Sequence, residues 1–284
     1  MEKIAVVTDT GSNLSFAQAK ELGIYLLPLQ ITIDETTYQD TLEISTQDIY
    51  NELAKGKMPK TSMAAYQKIY DLFEELKKDY DTIFAVPLTN GLSTNASTMQ
   101  SIARELEMNV HVIDMYATCA LEKHVAIWIK KLVDEHKSSE EILKIIQPAI
   151  DESNSLILVK NLQHLKRGGR LTPMAATLAG LLKIYPVLHI NKSTEGRIDV
   201  LNKVRTEKRA DAYAIDKIMD DIDIQHTHIY IIHSNFLEGA NHFKKCFIEK
   251  GVPEQNIHID YISSVIAVHT GLGCIAIQYI REEN

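Results

Sequence analysis

No run of about 18 uninterrupted apolar residues occurs in these 284 residues, so the sequence offers no candidate for a spanning helix. The opening Met1-Glu2-Lys3 leads into an apolar stretch at residues 4–7 that is too short for a secretory leader. No small-residue cleavage pattern follows it, and the expected location is the cytoplasm. Cysteine is sparse. Cys119, Cys246 and Cys274 lie far apart, with no CxxC and no ligand spacing to histidine, which excludes zinc ribbons and disulfide scaffolds and leaves isolated reduced thiols. No other metal-ligand motif is present. Positive charge is short as well: 30 Lys and Arg against 38 Asp and Glu give a net charge of −8. That balance speaks against a nucleic-acid partner and against standing attachment to an anionic membrane, leaving transient membrane contact at most. There is no GxGxxG and no Walker A loop, since Gly271-Leu272-Gly273 supplies only a GxG, so the chain carries no nucleotide site of its own. No internal repeat and no low-complexity linker is visible.

What is present is an ordinary globular composition, 45% hydrophobic and 24% charged, on a length that favours one large or two modest domains. The first half alternates strand and helix. Residues 4–8 read as a buried strand ending in Asp9-Thr10-Gly11-Ser12, and residues 15–22 as a helix closed by Gly23. Residues 24–33 read as one strand and 34–38 as a turn. Ser45 and Asp48 form a capping box for a helix that Gly56 closes. Thr61-Ser62 reads as the cap of a helix over 64–78. Strands at 82–87 and 110–113 and helices at 95–107, 120–135 and 139–151 complete the half. This rhythm predicts a parallel sheet with helices on both faces, whose ligands bind beyond the carboxyl ends of its strands.

The second half brings strands together without helices between them: 186–190 and 197–205 about a turn at Glu195-Gly196, then 228–233 and 257–262, with a strand at 156–159 before them. Helices are expected at 209–221 and 238–250, and a short buried one at 174–184. The expectation is an α/β protein of two domains, residues 1–155 with a parallel sheet and 156–284 with a mixed sheet.

The loops at the carboxyl edge of the first sheet are rich in hydroxyls and carboxylates: Thr8, Asp9, Thr10 and Ser12, then Thr61 and Ser62, then Thr89, Asn90, Ser93 and Thr94, then Asp114 and Thr118. Hydroxyls at helix N-termini suit an anion. Asp9 and Asp114 offer paired carboxylates for acid–base work or acceptors for neighbouring loops. Arg170 follows paired glycines in Lys166-Arg167-Gly168-Gly169-Arg170, where close backbone approach and a planar cation suit a carboxylate. His269 stands in the apolar, glycine-bearing stretch Ala267-Val268-His269-Thr270-Gly271. Gly91-Leu92-Ser93-Thr94-Asn95 starts like a nucleophile elbow, but Asn95 stands where its last glycine belongs. Lys203 to Arg209 forms a second basic cluster on an acidic background.

Together, Val6-Val7-Thr8-Asp9-Thr10, Thr61-Ser62, Gly91-Leu92-Ser93, Leu165-Lys166-Arg167-Gly168-Gly169-Arg170 and His269-Thr270-Gly271-Leu272-Gly273 resemble the DegV family over nearly the whole chain. The resemblance implies a lipid held between two domains, with a long-chain fatty acid in an apolar tunnel. Its carboxylate would be bound by Thr61, Ser62, Ser93 and His269, with Arg170 nearby. The family pattern implies no catalysis and no cofactor beyond that ligand. It also implies a separate ATP-dependent fatty-acid kinase, which makes an acyl-phosphate for phospholipid synthesis; Arg205 and its basic neighbours are the expected docking patch for it. Residues 174–188 and 265–280 are the expected tunnel walls. Met63-Ala64 after Ser62, Thr94-Asn95 after Ser93, and Tyr185 before Pro186 depart from the family pattern. Two readings compete: a serine hydrolase or acyltransferase built on Ser93 and His269, and a carrier of another small organic anion, which would need only a short polar pocket.

Overall fold

The computed structural model describes residues 2–181 and 183–282. Strand β1 (Ile4–Asp9) is buried along its whole length. Helix α1 (Phe16–Leu22) opens on a capping box between Ser15 and Gln18, and Gly23 closes it at φ 67, a conformation glycine adopts without strain. Strand β2 (Tyr25–Leu27) lies parallel beside β1. The single strand expected over 24–33 is divided at Pro28, which has no N–H for the ladder. Beyond it, β3 (Gln30–Ile33) belongs to a separate antiparallel sheet with β4 (Thr36–Gln39) and β5 (Lys60–Ser62). The turn expected over 34–38 contracts to Asp34-Glu35, with Asp34 at φ 53.

Helix α2 (Thr46–Ala54) has the expected capping box of Ser45 and Asp48. Thr61 and Ser62, in contrast, cap nothing. They lie in β5, paired with Ile31 and Gln30, and α3 (Tyr66–Leu76) begins after Ala65 without a side-chain cap. Strand β6 (Thr82–Val86), α4 (Asn95–Glu105), β7 (Asn109–Val112), α5 (Ala120–Asp134) and α6 (Ser139–Glu152) follow. The first sheet has the order β2-β1-β6-β7 and is parallel throughout. Its order reverses between β1 and β6, so the loops leaving those two strands flank a crevice.

The second half begins with β8 (Asn154–Leu158), α7 (Leu162–Arg167), α8 (Pro173–Leu178), β9 (Tyr185–Ile190) and β10 (Asp199–Val204). It ends with α9 (Glu207–Asp221), β11 (Thr227–His233), α10 (Leu237–Glu249), β12 (Ile257–Tyr261), α11 (Ser264–Thr270) and β13 (Ile275–Arg281). The sheet order is β10-β9-β8-β13-β11-β12, antiparallel except for the parallel pair β11–β12, which makes it the expected mixed sheet. The expected division at 155/156 falls within β8. Two further readings are corrected. Lys166 and Arg167 form the last turn of α7, so the basic turn is only Gly168-Gly169-Arg170. The buried helix expected over 174–184 is short and surface-lying: Thr172 caps it and it ends at Leu178, with Met174 61% and Leu181 52% exposed. Leu182 lies outside the described residues.

Three apolar clusters follow from strand alternation. Ile4, Val6, Phe84 and Val86 face α5 and α6, while Ala5, Val7, Ile83 and Ala85 face the other way. That second set joins Ile157, Leu188, Ile232 and Ala276 of the mixed sheet in one continuous core, so the two sheets share buried apolar surface. Leu156, Val187, Ile229, Ile231 and Ile277 pack on the opposite face with residues of α9 and α10. Among the described residues no helix is long and apolar enough to cross a membrane.

Candidate functional site

The loop between β6 and α4 is held from below. Asp9, at the carboxyl end of β1, accepts hydrogen bonds from Leu88 N (2.9 Å) and Asn95 Nδ2 (2.7 Å) through Oδ2, and from Gly11 N (2.8 Å) through Oδ1. It is held from the second half by backbone contact. A Cβ on Gly91 would stand 2.1 Å from the Gly196 carbonyl, and one on Gly196 would stand 2.1 Å from Thr89 Oγ1. Neither position has room for a side chain, and Gly196 at φ 70 also completes the turn between β9 and β10. Ser93 is thereby fixed at the mouth of α4. Its Oγ accepts the Asn95 N–H (3.1 Å), which leaves its own proton to donate outward.

Across the crevice β5 presents Thr61 and Ser62, and α11 presents His269. Thr61 Oγ1 and His269 Nε2 are 2.6 Å apart. Burial, with the Arg170 charge beside it, pushes the imidazole down to about 3, against a hydrogen bond to the Gly168 backbone that works the other way. The ring is therefore neutral at physiological pH. A neutral ring that donates through Nδ1 to the Gly168 carbonyl has a bare Nε2, which accepts the Thr61 hydroxyl proton. Arg170 donates to the same carbonyl (Nη1–O 2.7 Å), and burial lowers its pKa without threatening its charge.

These side chains meet on one cavity of about 410 Å³, whose lining includes Thr61, Ser62, Ser93, Arg170 and His269. All five expected carboxylate ligands are thus brought together. Arg205 is not: it is exposed just past the end of β10, a six-residue strand whose other end adjoins Ile198 of the cavity wall. At roughly 3.3 Å per residue, that places it about 20 Å away along the strand. Of the remaining edge hydroxyls, Thr8 donates to Val86 O, Ser12 donates to Asp9 O and Thr10 accepts from Leu29 N, all buried in the fold. Asp9 and Asp114 act as loop acceptors, Asp114 taking Asn90 N and Tyr116 N.

Behind the cavity lies a smaller apolar pocket of about 30 Å³ that shares Leu92, Ile198, Ile266 and Thr270 with it. Isoleucines from the mixed sheet wall it, including Ile157, Ile190 and Ile232, and so do the thiols of Cys119 and Cys274. Gln278 stands in its lining with both ends occupied: it accepts from Ala120 N and Leu121 N and donates to Thr118 O and Ser155 Oγ. Residues of the expected wall 265–280 line both cavities. None of the described residues of 174–188 lines either cavity, because α8 packs outward. Among the described residues no group of three or more His, Cys, Asp or Glu is arranged to hold a metal ion.

Sequence reasoning missed Asn95, Gly91, Glu122 and Gln278. Asn95 stood out only as a departure from a pattern, yet it is the link between Asp9 and the Ser93 loop.

The family model described as "Uncharacterised protein, DegV family" matches residues 3–282. The chain belongs to the DegV family. It is 31% identical to a DegV domain-containing protein of Halalkalibacterium halodurans over 289 residues, covering all of both chains. Among solved structures, a fatty acid binding DegV family protein from Streptococcus agalactiae superposes with a TM-score of 0.91 at 29% identity over the whole of both chains. DegV from Bacillus subtilis, a fatty acid binding protein, superposes with a TM-score of 0.87 at 27% identity, covering 99% of this chain and 100% of that one. The two-domain DegV architecture, a parallel and a mixed sheet, is therefore that of this chain.

Proposed function

We propose that this chain binds one long-chain fatty acid, tail between the sheets and carboxylate at Thr61, Ser62, Ser93, His269 and Arg170. The observation that carries the reading is an amphipathic pair of cavities: one lined by a guanidinium and several hydroxyls, and behind it a small apolar pocket that shares Leu92, Ile198, Ile266 and Thr270 with it. The fatty acid binding of the Streptococcus agalactiae and Bacillus subtilis relatives supports it. A sixteen-carbon tail has about fourteen methylenes at roughly 0.8 kcal/mol each, on the order of 11 kcal/mol before binding costs. Charge-assisted hydrogen bonds add about 1.5–3 kcal/mol each. The tail therefore sets affinity and the head group sets orientation. A pocket of about 30 Å³ must widen as the tail enters, so the wall side chains move with the ligand.

The hydrolase reading is the weaker one. A nucleophile needs a base within hydrogen-bond reach, but both nitrogens of His269 are engaged, Nε2 by Thr61 and Nδ1 by Gly168. The small-anion reading leaves the apolar pocket unused.

The chain does no chemistry in this reading. It is a cytoplasmic, non-catalytic lipid carrier, with residues 1–155 and 156–284 closing on the ligand. It presents the carboxylate to a separate ATP-dependent fatty-acid kinase, whose acyl-phosphate product feeds phospholipid synthesis. The test is denaturing extraction of the purified protein followed by lipid mass spectrometry, with one fatty acid per chain expected. Ser93→Ala is expected to keep that lipid while cutting kinase turnover at least about tenfold, since one hydrogen bond to a charged group is removed. A variant that loses lipid yet supports full turnover of added fatty acid contradicts the role given to Ser93. We further propose that Arg205 docks the kinase from its exposed position. Arg205→Glu is expected to weaken kinase coupling at low salt and to matter less at high salt; unchanged coupling at low salt removes the idea.

A further inference from the structure

Beneath the Ser93 loop lies a second carboxyl group that the binding reading does not use. Glu122, in the first turn of α5, is fully buried, and its Oε1 lies 3.2 Å from the Thr8 hydroxyl, whose proton goes to Val86 O at 2.7 Å. Its other oxygen, Oε2, is buried without a hydrogen-bond partner and stands beside Asp9 Oδ1: the two lie 3.0 and 2.7 Å from the place a Cβ on Gly11 would take. Two buried carboxyls side by side are not both charged, so one of them holds a proton. The donors around Asp9 decide which. Leu88 N, Asn95 Nδ2 and Gly11 N all point at it, while the hydroxyl nearest Glu122, that of Thr8, is spent on Val86 O. Asp9 is thus the better-solvated anion and Glu122 the protonated acid beside it. The charged or titratable neighbours are Asp40, whose charge acts on Asp9, and the Cys119 thiol beside Glu122; neither favours a second negative charge. Burial and mutual repulsion push Glu122 well above the ordinary carboxyl range, in agreement with that assignment.

Asp9 joins the two ends of the loop. Leu88 is its first residue after the Pro87 turn and Asn95 opens α4, and one oxygen of Asp9 holds both. Ser93, two residues from Asn95 and bonded to its N–H, takes its position from this clamp. We propose that Asp9, backed by a protonated Glu122 and linked through Asn95, is the positioning unit of the carboxylate site and determines where the Ser93 hydroxyl meets the ligand. This rests on the fatty-acid reading of the cavity. None of the three residues touches the cavity itself.

The probe is oleate labelled with ¹³C at its carboxyl carbon, observed by NMR on the full chain. The carboxyl resonance and its pH titration report the head-group environment, while a parallel titration of oleate reports affinity. Asn95→Ala is expected to displace the bound carboxyl resonance and move its titration midpoint, with affinity falling less than about tenfold because the tail dominates it. Glu122→Leu removes the proton donor and is expected to do the same. Glu122→Gln, whose amide N–H replaces the acid proton, is expected to restore the wild-type resonance, which a merely space-filling role for Glu122 would not require. If wild-type protein gives no bound carboxyl signal, the fatty-acid reading fails and this inference with it. If the wild type binds and Asn95→Ala leaves its resonance and midpoint unchanged, or Glu122→Gln behaves like Glu122→Leu, the positioning unit is overturned while fatty-acid binding stands.

Discussion

Ile266→Trp is expected to abolish fatty-acid retention in a protein that still folds. Ile266 lines both cavities, as do Leu92, Ile198 and Thr270, and in the proposed mode the tail passes between these four side chains. It is only half-buried, on the cavity side of α11, so a larger ring fills the opening before it strains the core. A head group can still reach Thr61, Ser93 and His269 past such a plug, but the tail cannot follow. If about ten methylenes stay in water at roughly 0.8 kcal/mol each, on the order of 8 kcal/mol of burial is forfeited, far more than a thousandfold in affinity. Lipid mass spectrometry of the extracted variant should show no stoichiometric fatty acid, and titration with oleate should show no saturable binding. A thermal melt and a far-ultraviolet spectrum check that the fold survives. Retention of oleate at wild-type affinity would mean that the tail does not pass between Leu92 and Ile266, and the pocket behind them would lose its role. The contrast with Ser93→Ala separates the two halves of the site: a plugged neck removes the lipid, whereas a lost hydroxyl leaves it bound and misdirected.

The parts of this site that were legible in the sequence are those whose meaning is local. Ser15 and Ser45 announce their helices because a capping box spans only four residues. Glu195-Gly196 announces a turn because both residues need a positive φ. The five residues proposed to bind the carboxylate come from short motifs matched to a family, and the fold places them on one cavity. What was not legible depends on partners far along the chain. Residues 24–33 have the composition of one strand, and only the tertiary structure shows two sheets dividing them at Pro28. Thr61 has the look of a cap, yet its neighbour across the ladder is Ile31, thirty positions upstream, and sheet pairing overrides the local signal. Gly91 has an ordinary backbone; its need to be glycine comes from the Glu195 and Gly196 backbone on the other half of the molecule. Residues 174–184 were apolar enough to suggest burial, but Gly180, at φ 106, leaves a helix too short to turn all its faces inward.

Asp40→Asn is expected to make the protein more stable at pH 7.5 and to flatten its stability between about pH 4 and pH 6. Asp40 follows β4 and is fully buried. Its Oδ1 takes the Ser264 hydroxyl, and Thr10 and the Thr41 backbone also bond to it, while Oδ2 has no hydrogen-bond partner. No cation is among these neighbours. Burial, with the charge of Asp9 adding to it, raises the carboxyl from its ordinary 3.8 to about 6. The sign follows from linkage: between those two values the folded state holds a proton that the unfolded chain has released, so stability falls as pH rises through the window. About two pKa units at 1.36 kcal/mol each put the loss near 3 kcal/mol by neutral pH. Asparagine keeps an acceptor for Ser264 and carries no charge. Its amide lacks an acceptor at the Oδ2 position, which returns part of the gain and leaves about 1–2 kcal/mol. Urea melts at pH 4.5 and 7.5 measure this directly: the variant should gain at the higher pH and differ little at the lower. A variant less stable than wild type at pH 7.5 would show that the carboxylate stays charged at little cost. Ser264 begins α11, the helix whose last turn carries His269, so the hydrogen bond from Ser264 ties the imidazole-bearing element to the end of β4. Asp40 thus trades stability at neutral pH for a fixed start to α11, and Asp40→Asn tests whether the amide alone is enough to keep His269 against Thr61.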